Sequence, residues 1–282
     1  AEMRAQFSPE RLSPAGRLSY RLFEEEVERS RAAFRWRWHG FPASTNGSPM
    51  GQIPVFLINN HRVDSVADAE AYVARLREVE RVMGEISANM RHQAELGIVP
   101  PRSNFAPVRA DGRRILQGAP FTESGDGRAQ NNVIFADFIA KVGRLQIADA
   151  EKTRLIAAAR EALTGPFRRG YETMLATLDA IEPRARGNEG AWSLPDGADF
   201  YAHRLRQSTT TELGAEQIHR IGLDQVGRIH AEMERIKRQV GFGGTLREFF
   251  RHVTEGSEFK YPNTDAGREQ YLADARRAIA QV

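Results

Sequence analysis

No cysteine occurs among the 282 residues, which excludes disulfides, thiolate metal ligands and a cysteine nucleophile. The compartment stays open, because many exported proteins carry no disulfide. Lysine is scarce too: Lys141, Lys152, Lys237 and Lys260 are the four, leaving 36 arginines among 40 basic residues. Arginine forms two-pronged contacts with carboxylates and suits ion pairing on long helices, although genomic base composition is the blander cause. The 37 acidic residues leave a net charge of only +3, so the pI near 9.4 does not imply nucleic-acid binding. No apolar run approaches the roughly 20 residues needed to span a bilayer, and no alternating run is long enough to build a sheet. Internal repeats are absent. Gly241-Phe242-Gly243-Gly244 lacks the preceding strand of a dinucleotide fingerprint, and no Gly-Lys-Ser or Gly-Lys-Thr phosphate loop occurs. The opening AEMRAQFSPE has no apolar targeting segment, and an exported or periplasmic location after removal of a leader is preferred to a cytoplasmic one.

What is present is helical period. Ser13-Pro14 starts a helix through Arg37. Residues 39–60, with Gly40, Pro42, Asn46-Gly47, Pro49, Gly51 and Pro54, read as a packed loop carrying Phe41, Phe56, Leu57 and Ile58. Asp64-Ser65 caps a second long helix ending near Gly97, expected to form a hairpin with the first. Further helices are expected at 104–116, 131–142, 149–163, from Pro166 to Ile181, over Phe200–Gln207, at 215–240, 245–253 and 265–280. The Gly-rich stretch 118–128 reads as a surface loop. Its Glu123 and Asp126 are too few for a calcium loop, so 123–127 is a surface turn. The fold class is all-α, with long antiparallel helices in a single helical region.

The densest patterning lies between Tyr201 and Ile236. Ser208-Thr209-Thr210-Thr211 is hydroxyl-rich and poor in helix propensity, and Thr211-Glu212-Leu213-Gly214 supplies capping groups before a helix begins near Ala215. Ile218, Ile221, Gly222, Val226, Ile229, Met233 and Ile236 then form one apolar stripe, with Glu216, Arg220, Arg228, Glu232 and Arg238 elsewhere on the helix.

This run resembles a bacterial family known as domain of unknown function 885. The shared features are the Thr209-Thr210-Thr211 triplet, Ile218-His219, Gly222-Leu223, Val226-Gly227-Arg228-Ile229 and Glu232-Met233. Similar segments follow in order at Asn59–Val63, Tyr72–Leu76, Gly97–Arg102, Leu194–Gly197 and Gly244–Phe250. The resemblance implies the N-terminal portion of a zincin-like metallopeptidase whose His-Glu-x-x-Pro-Gly-His-type zinc segment lies further downstream. None of the seven histidines here, His39, His61, His92, His203, His219, His230 and His252, has the Glu and i+4 His of such a segment. The resemblance therefore implies no catalytic residue, metal ligand or cofactor in this chain, with zinc and a peptide substrate expected in the full-length protein. The segment after Thr264-Asp265 stops at Gln281-Val282 without a closing Gly or Pro, in keeping with a fragment.

Candidate substrate-binding residues are Tyr201, His203, Arg204, Thr209, Thr210 and His219. A Tyr hydroxyl and an Arg can hold a peptide carbonyl or carboxylate; alternatively Tyr201 packs on Leu205 while His203 and Arg204 stay solvated. The threonines either line substrate backbone or cap the next helix. His219 and His230 share a helix face but lie about 16 Å apart by helical rise, too far to chelate one ion. Glu24-Glu25-Glu26 and Glu232 with Glu234 sit among arginines and read as ion-paired faces. The competing function is a non-enzymatic helical scaffold or partner-binding protein, and exposed helices also allow a dimer. Nucleic acid is not an expected partner.

Overall fold

The computed structural model describes residues 2–122, 131–187 and 190–281. The expected surface turn at 123–127 lies outside them. Among the described residues the chain is all-α, with two isolated backbone bridges and no strand. Twelve α-helices occur there: α1 (Glu2–Gln6), α2 (Pro14–Phe34), α3 (Pro49–Asn60), α4 (Val66–Glu95), α5 (Phe105–Ile115), α6 (Val133–Gly143), α7 (Asp149–Ala162), α8 (Arg168–Ile181), α9 (Gly197–Thr209), α10 (Ala215–Gln239), α11 (Leu246–Glu255) and α12 (Asp265–Ala280). Two compact units divide them, residues 1–208 and 209–282.

Local chemistry sets the helix starts. Ser13 Oγ accepts from Gly16 N at 3.1 Å ahead of α2, and Ser65 Oγ accepts from Asp68 N at 3.2 Å ahead of α4. Asp68 in turn accepts from Asp64 N and Ser65 Oγ at 3.1 and 2.8 Å. These caps satisfy backbone N–H groups that the first helical turn leaves without partners.

The core of the first unit is built on α4 and α8. Tyr72, Leu76, Met83 and Tyr171 are fully buried there, joined by Phe135 and Phe138 of α6 and Leu155 of α7. Gly170 sets the approach of α8 to α4, since a Cβ at that position would lie 2.9 Å from Val79 O and 3.0 Å from Glu80 Cα. Beside it, Arg169 grips the Glu80 carboxylate with Nε and Nη2, both at 2.8 Å. The expected α2–α4 hairpin is not found: α2 buries only Tyr20 and gives the core cluster no residue. Leu18, Leu22 and Phe23 of α2 remain about half exposed.

Residues 49–60 form helix α3, where a loop was expected, and Met50, Pro54 and Leu57 of α3 are buried. Pro54 has no N–H for the carbonyl of Met50. The Tyr171 hydroxyl of α8 donates to that carbonyl at 2.6 Å instead. At the other end, Lys141 Nζ of α6 donates to Leu57 O and Ile58 O at 3.0 and 2.9 Å. A proline-bearing segment is thus helical because two side chains from elsewhere satisfy its orphaned carbonyls.

Lys141 also belongs to a polar network joining α3, α4 and α6. It pairs with Asp137 at 2.8 Å, and the Tyr72 hydroxyl donates to the same Asp137 carboxylate at 3.3 Å. His61, 6% exposed, stacks at 4.9 Å on Tyr72. Its Nε2–H donates to Asp68 O at 3.1 Å. Its Nδ1 faces the Arg75 guanidinium and accepts from it, so the ring is held neutral. Desolvation first, then Arg75 and Lys141, push its pKa below the ordinary 6.5, although the bond to Asp68 O acts the other way.

The second unit is different in kind. Among its described residues only Lys237 and Gly267 are buried, and its helices rest on capping and ion pairs. Thr245 Oγ1 accepts from Glu248 N at 3.3 Å while the Glu248 carboxylate accepts from Thr245 N at 2.7 Å, a reciprocal cap for α11. The expected ion-paired faces are present in both units: Glu24 with Arg4, Glu25 and Glu26 with Arg29, Glu232 with Arg228 and Arg235, and Glu234 with Lys237.

Three outcomes follow. Tyr171→Phe strips the donor from the Met50 carbonyl and lowers stability by about 1–3 kcal/mol, the cost of one buried unpaired group; thermal unfolding would show a drop of roughly 2–4 °C per kcal/mol. Gly170→Ala is destabilising by about 1–3 kcal/mol through overpacking against α4 backbone, whereas Gly84→Ala, where nothing lies within 4 Å of the added methyl, is neutral or stabilising by about 0.4–1 kcal/mol; equal melting shifts for the two would refute the close-approach argument. Because His61 is less protonated folded than unfolded, its stabilising contribution is complete above 6.5 and declines as pH falls below that value. The urea midpoint should therefore fall between about pH 7.5 and about pH 5.5, with a shallower slope in His61→Gln; an unchanged midpoint in wild type contradicts this.

Candidate functional site

The sequence-derived candidates are distributed over both units. Tyr201, His203 and Arg204 lie on α9 of the first, and Thr209, Thr210 and His219 belong to the second. On α9 the expected solvated histidine is instead 8% exposed, while Tyr201 is 47% exposed. Two residues apart on a helix is a turn of about 200°, so one side chain faces inward and the other outward. Arg204 also points out, its Nη1 donating to Gln207 Oε1 at 3.2 Å.

His203 joins an aromatic cluster formed with the end of α2. Its ring lies 6.1 Å from Trp36, Phe200 lies 5.6 Å from Trp36, and His39 contacts Phe200 and Trp36 at 4.8 and 4.9 Å. His39 Nε2–H donates to Pro195 O at 2.9 Å, while its Nδ1 is buried without a partner. Arg35 covers the Trp36 ring at 4.4 Å and pairs with Asp196 and Asp199 at 3.3 and 3.6 Å. Gln93 of α4 anchors the intervening chain, donating to Trp38 O and Gly40 O, both at 2.6 Å. Desolvation, then Arg206 and Arg204, hold the His203 pKa below the ordinary 6.5, so this imidazole is neutral near pH 7.

These contacts give Leu194-Pro195-Asp196-Gly197 a physical meaning. Pro195 accepts from His39, Asp196 adopts a left-handed φ of 51°, and a Cβ on Gly197 would collide with Ala191 O. Arg35, Trp36, His39 and Phe200 were not among the expected site residues. The three-residue spacing of Trp36 and His39 is their only sequence signal, and it acquires meaning only once Gln93 fixes residues 38–40 against α4.

The threonines form a turn. Thr210 has φ 55°, Thr209 and Thr211 hydroxyls meet at 2.9 Å, and Thr211 Oγ1 accepts from Leu213 N at 3.4 Å. The residue that caps α10 is Gly214, whose N–H donates to Gln217 Oε1 at 2.9 Å. Along α10, Ile221, Val226, Ile229 and Ile236 are 48%, 50%, 39% and 41% exposed. Exposed His219 and His230 flank that stripe. Among the described residues no three His, Asp or Glu side chains gather in metal-holding geometry. No described helix is long and apolar enough to cross a membrane.

Comparison with curated proteins finds no match. Among solved structures, the chain is similar to "the putative lipoprotein from Colwellia psychrerythraea", with a TM-score of 0.74 and 23% identity. The match covers 86% of this chain and 41% of that one, so this chain spans less than half the length of its structural neighbour. The likeness establishes a shared fold. Residues 1–282 match throughout the family described as "Bacterial protein of unknown function (DUF885)", and the chain belongs to that family.

Proposed function

We propose that this chain is the N-terminal helical portion of a longer, zinc-dependent peptidase, in which it forms part of a substrate cleft and a downstream segment supplies the metal ligands. The observation that carries the reading is the state of the second unit. A helix of 25 residues, α10, carries an apolar stripe on which Ile221, Val226, Ile229 and Ile236 stay 39–50% exposed. Amphipathic helices derive most of their stability from covering such a stripe. The structural neighbour, more than twice as long, has the additional chain that such a cover requires. The peptidase chemistry itself comes from the family resemblance, and no step of it is assigned to residues 1–282. We assign peptide contact to Tyr201 and Arg204, exposed on α9 of the first unit, and, within the second unit, to His219 on α10, with Thr209 and Thr210 in the turn before it. His203 acts through packing that orients α9. A location outside the cytoplasm accords with the neighbour's description as a lipoprotein. If the stripe is not covered by the same polypeptide, a second copy of this chain covers it and the molecule is a dimer.

The test is the product of the complete gene, examined for mass, zinc and hydrolysis of a fluorogenic peptide library. The expected outcome is a polypeptide about twice as long with about one zinc per chain and peptidase activity lost on chelation. A gene product ending at Val282, free of zinc and inactive, would overturn the proposal and leave a helical scaffold that binds a partner.

A further inference from the structure

We propose that a concavity on the first unit, walled by residues 44–48, the outer face of α3 and Asp111 of α5, is a binding site for a neutral mono- or disaccharide. Its volume is about 450 Å³, within the range of small-ligand pockets. It is open and shallow, and none of its lining residues is among those assigned to the peptidase reading.

The lining is chemically selective. No Lys, Arg or His contributes to it, which disfavours phosphates and carboxylates. Three side-chain amides, Asn46, Gln52 and Asn60, converge there with the hydroxyls of residues 44, 45 and 48. The described residues offer those three amides no side-chain hydrogen-bond partner. An amide presents donors and an acceptor together, and a sugar hydroxyl is likewise donor and acceptor. Asp111 adds one carboxylate, 55% exposed and paired with Arg114 at 3.1 Å, suited to accept from adjacent hydroxyls.

The helix geometry places an apolar platform in the same row. Ser48, Gln52, Phe56 and Asn60 follow at intervals of four and so share one face. That face is opposite in function to the buried side bearing Met50, Pro54 and Leu57. Phe56 is 49% exposed and Val55 57%, an unusual display of apolar surface between amides. The Arg75 guanidinium covers the Phe56 ring at 5.7 Å, holding it in place, and the aliphatic C–H face of a sugar is the natural partner for its exposed part. Two glycines complete the floor. A Cβ on Gly47 would come 2.9 Å from Gln52 Nε2, so the Gln52 amide rests over that glycine, while above Gly51 there is open space where the backbone can be approached. An extended peptide fits less well, because strand-like recognition needs a free backbone edge and this wall is made of side-chain amides.

The experiment is titration of the ¹⁵N-labelled chain with cellobiose, maltose and N,N′-diacetylchitobiose, following side-chain amide resonances of Asn46, Gln52 and Asn60. At least one disaccharide should shift them saturably. Gln52→Ala and Phe56→Ala, both outward-facing, should each weaken that binding about tenfold or more with the melting temperature little changed. Gly47→Val, which displaces Gln52, should do the same. Absence of saturable shifts with all three sugars, shifts that survive both substitutions, or saturation by neutral tri-alanine amide alone would overturn the proposal. Because none of these readouts involves hydrolysis or zinc, the result is independent of the peptidase reading.

Discussion

Donors from two other helices let residues 49–60 be helix rather than loop. Proline inside a helix removes a donor and costs about 3 kcal/mol, so a segment with Pro49 and Pro54 bracketing Gly51 has no intrinsic claim to helicity. Tyr171 supplies the missing donor from a neighbouring helix, and Lys141 supplies two more at the far end. Tyr171 reaches Met50 because α8 lies so close to α4, and that closeness needs Gly170. Burial also keeps the phenol protonated, its pKa pushed far above the ordinary value by desolvation alone, so the donor persists at any physiological pH. Backbone sterics at one glycine thus propagate to the position of Gln52, Val55 and Phe56 on the other face of α3.

This dependence separates what can be read from the sequence from what cannot. The helices at 66–95, 149–162 and 215–239 carry their own periodicity, the first and last with caps as well, so they are legible without tertiary information. Helix α3 is not, since its stabilising donors lie about 80 and 120 residues further along the chain and local propensity points the other way. The same holds for α2, whose period is clear but whose partner was misjudged: amphipathicity tells that a helix has a face to cover and is silent on what covers it. His203 illustrates the limit for single residues. Tyr201, His203 and Arg204 are adjacent in sequence, yet helical rotation sends the histidine toward Trp36 and the other two outward, and without the register of α9 against α2 that sorting is invisible.

The segments that carry the family resemblance are mostly structural in this chain. Asn59–Val63 and Tyr72–Leu76 meet through His61, Tyr72 and Arg75; Gly97–Arg102 closes α4 with a left-handed glycine at φ 78° and ties Arg102 to Ala185 O at 3.1 Å; Thr245 and Glu248 form a reciprocal cap. Each is a position where backbone groups or charges need a specific partner. A shared motif is therefore evidence for the fold before it is evidence for a reaction.

The contrast between the units bears directly on function. The first packs a continuous core from Ala43 to Ala185. The second exposes Ile221, Val226, Ile229 and Ile236 along one helix. Full burial of such a side chain contributes about 1.5–3 kcal/mol, so four of them half covered leave roughly 4 kcal/mol of stabilisation unrealised. Exposed i,i+4 pairs such as Arg228–Glu232 return only about 0.3–0.5 kcal/mol each and do not close that gap. Arginine-rich ion pairing can keep α10 soluble and helical, but it leaves its apolar stripe in water. On the reading proposed above, α10 is an element that further polypeptide covers, with exposed His219 at the margin of its stripe.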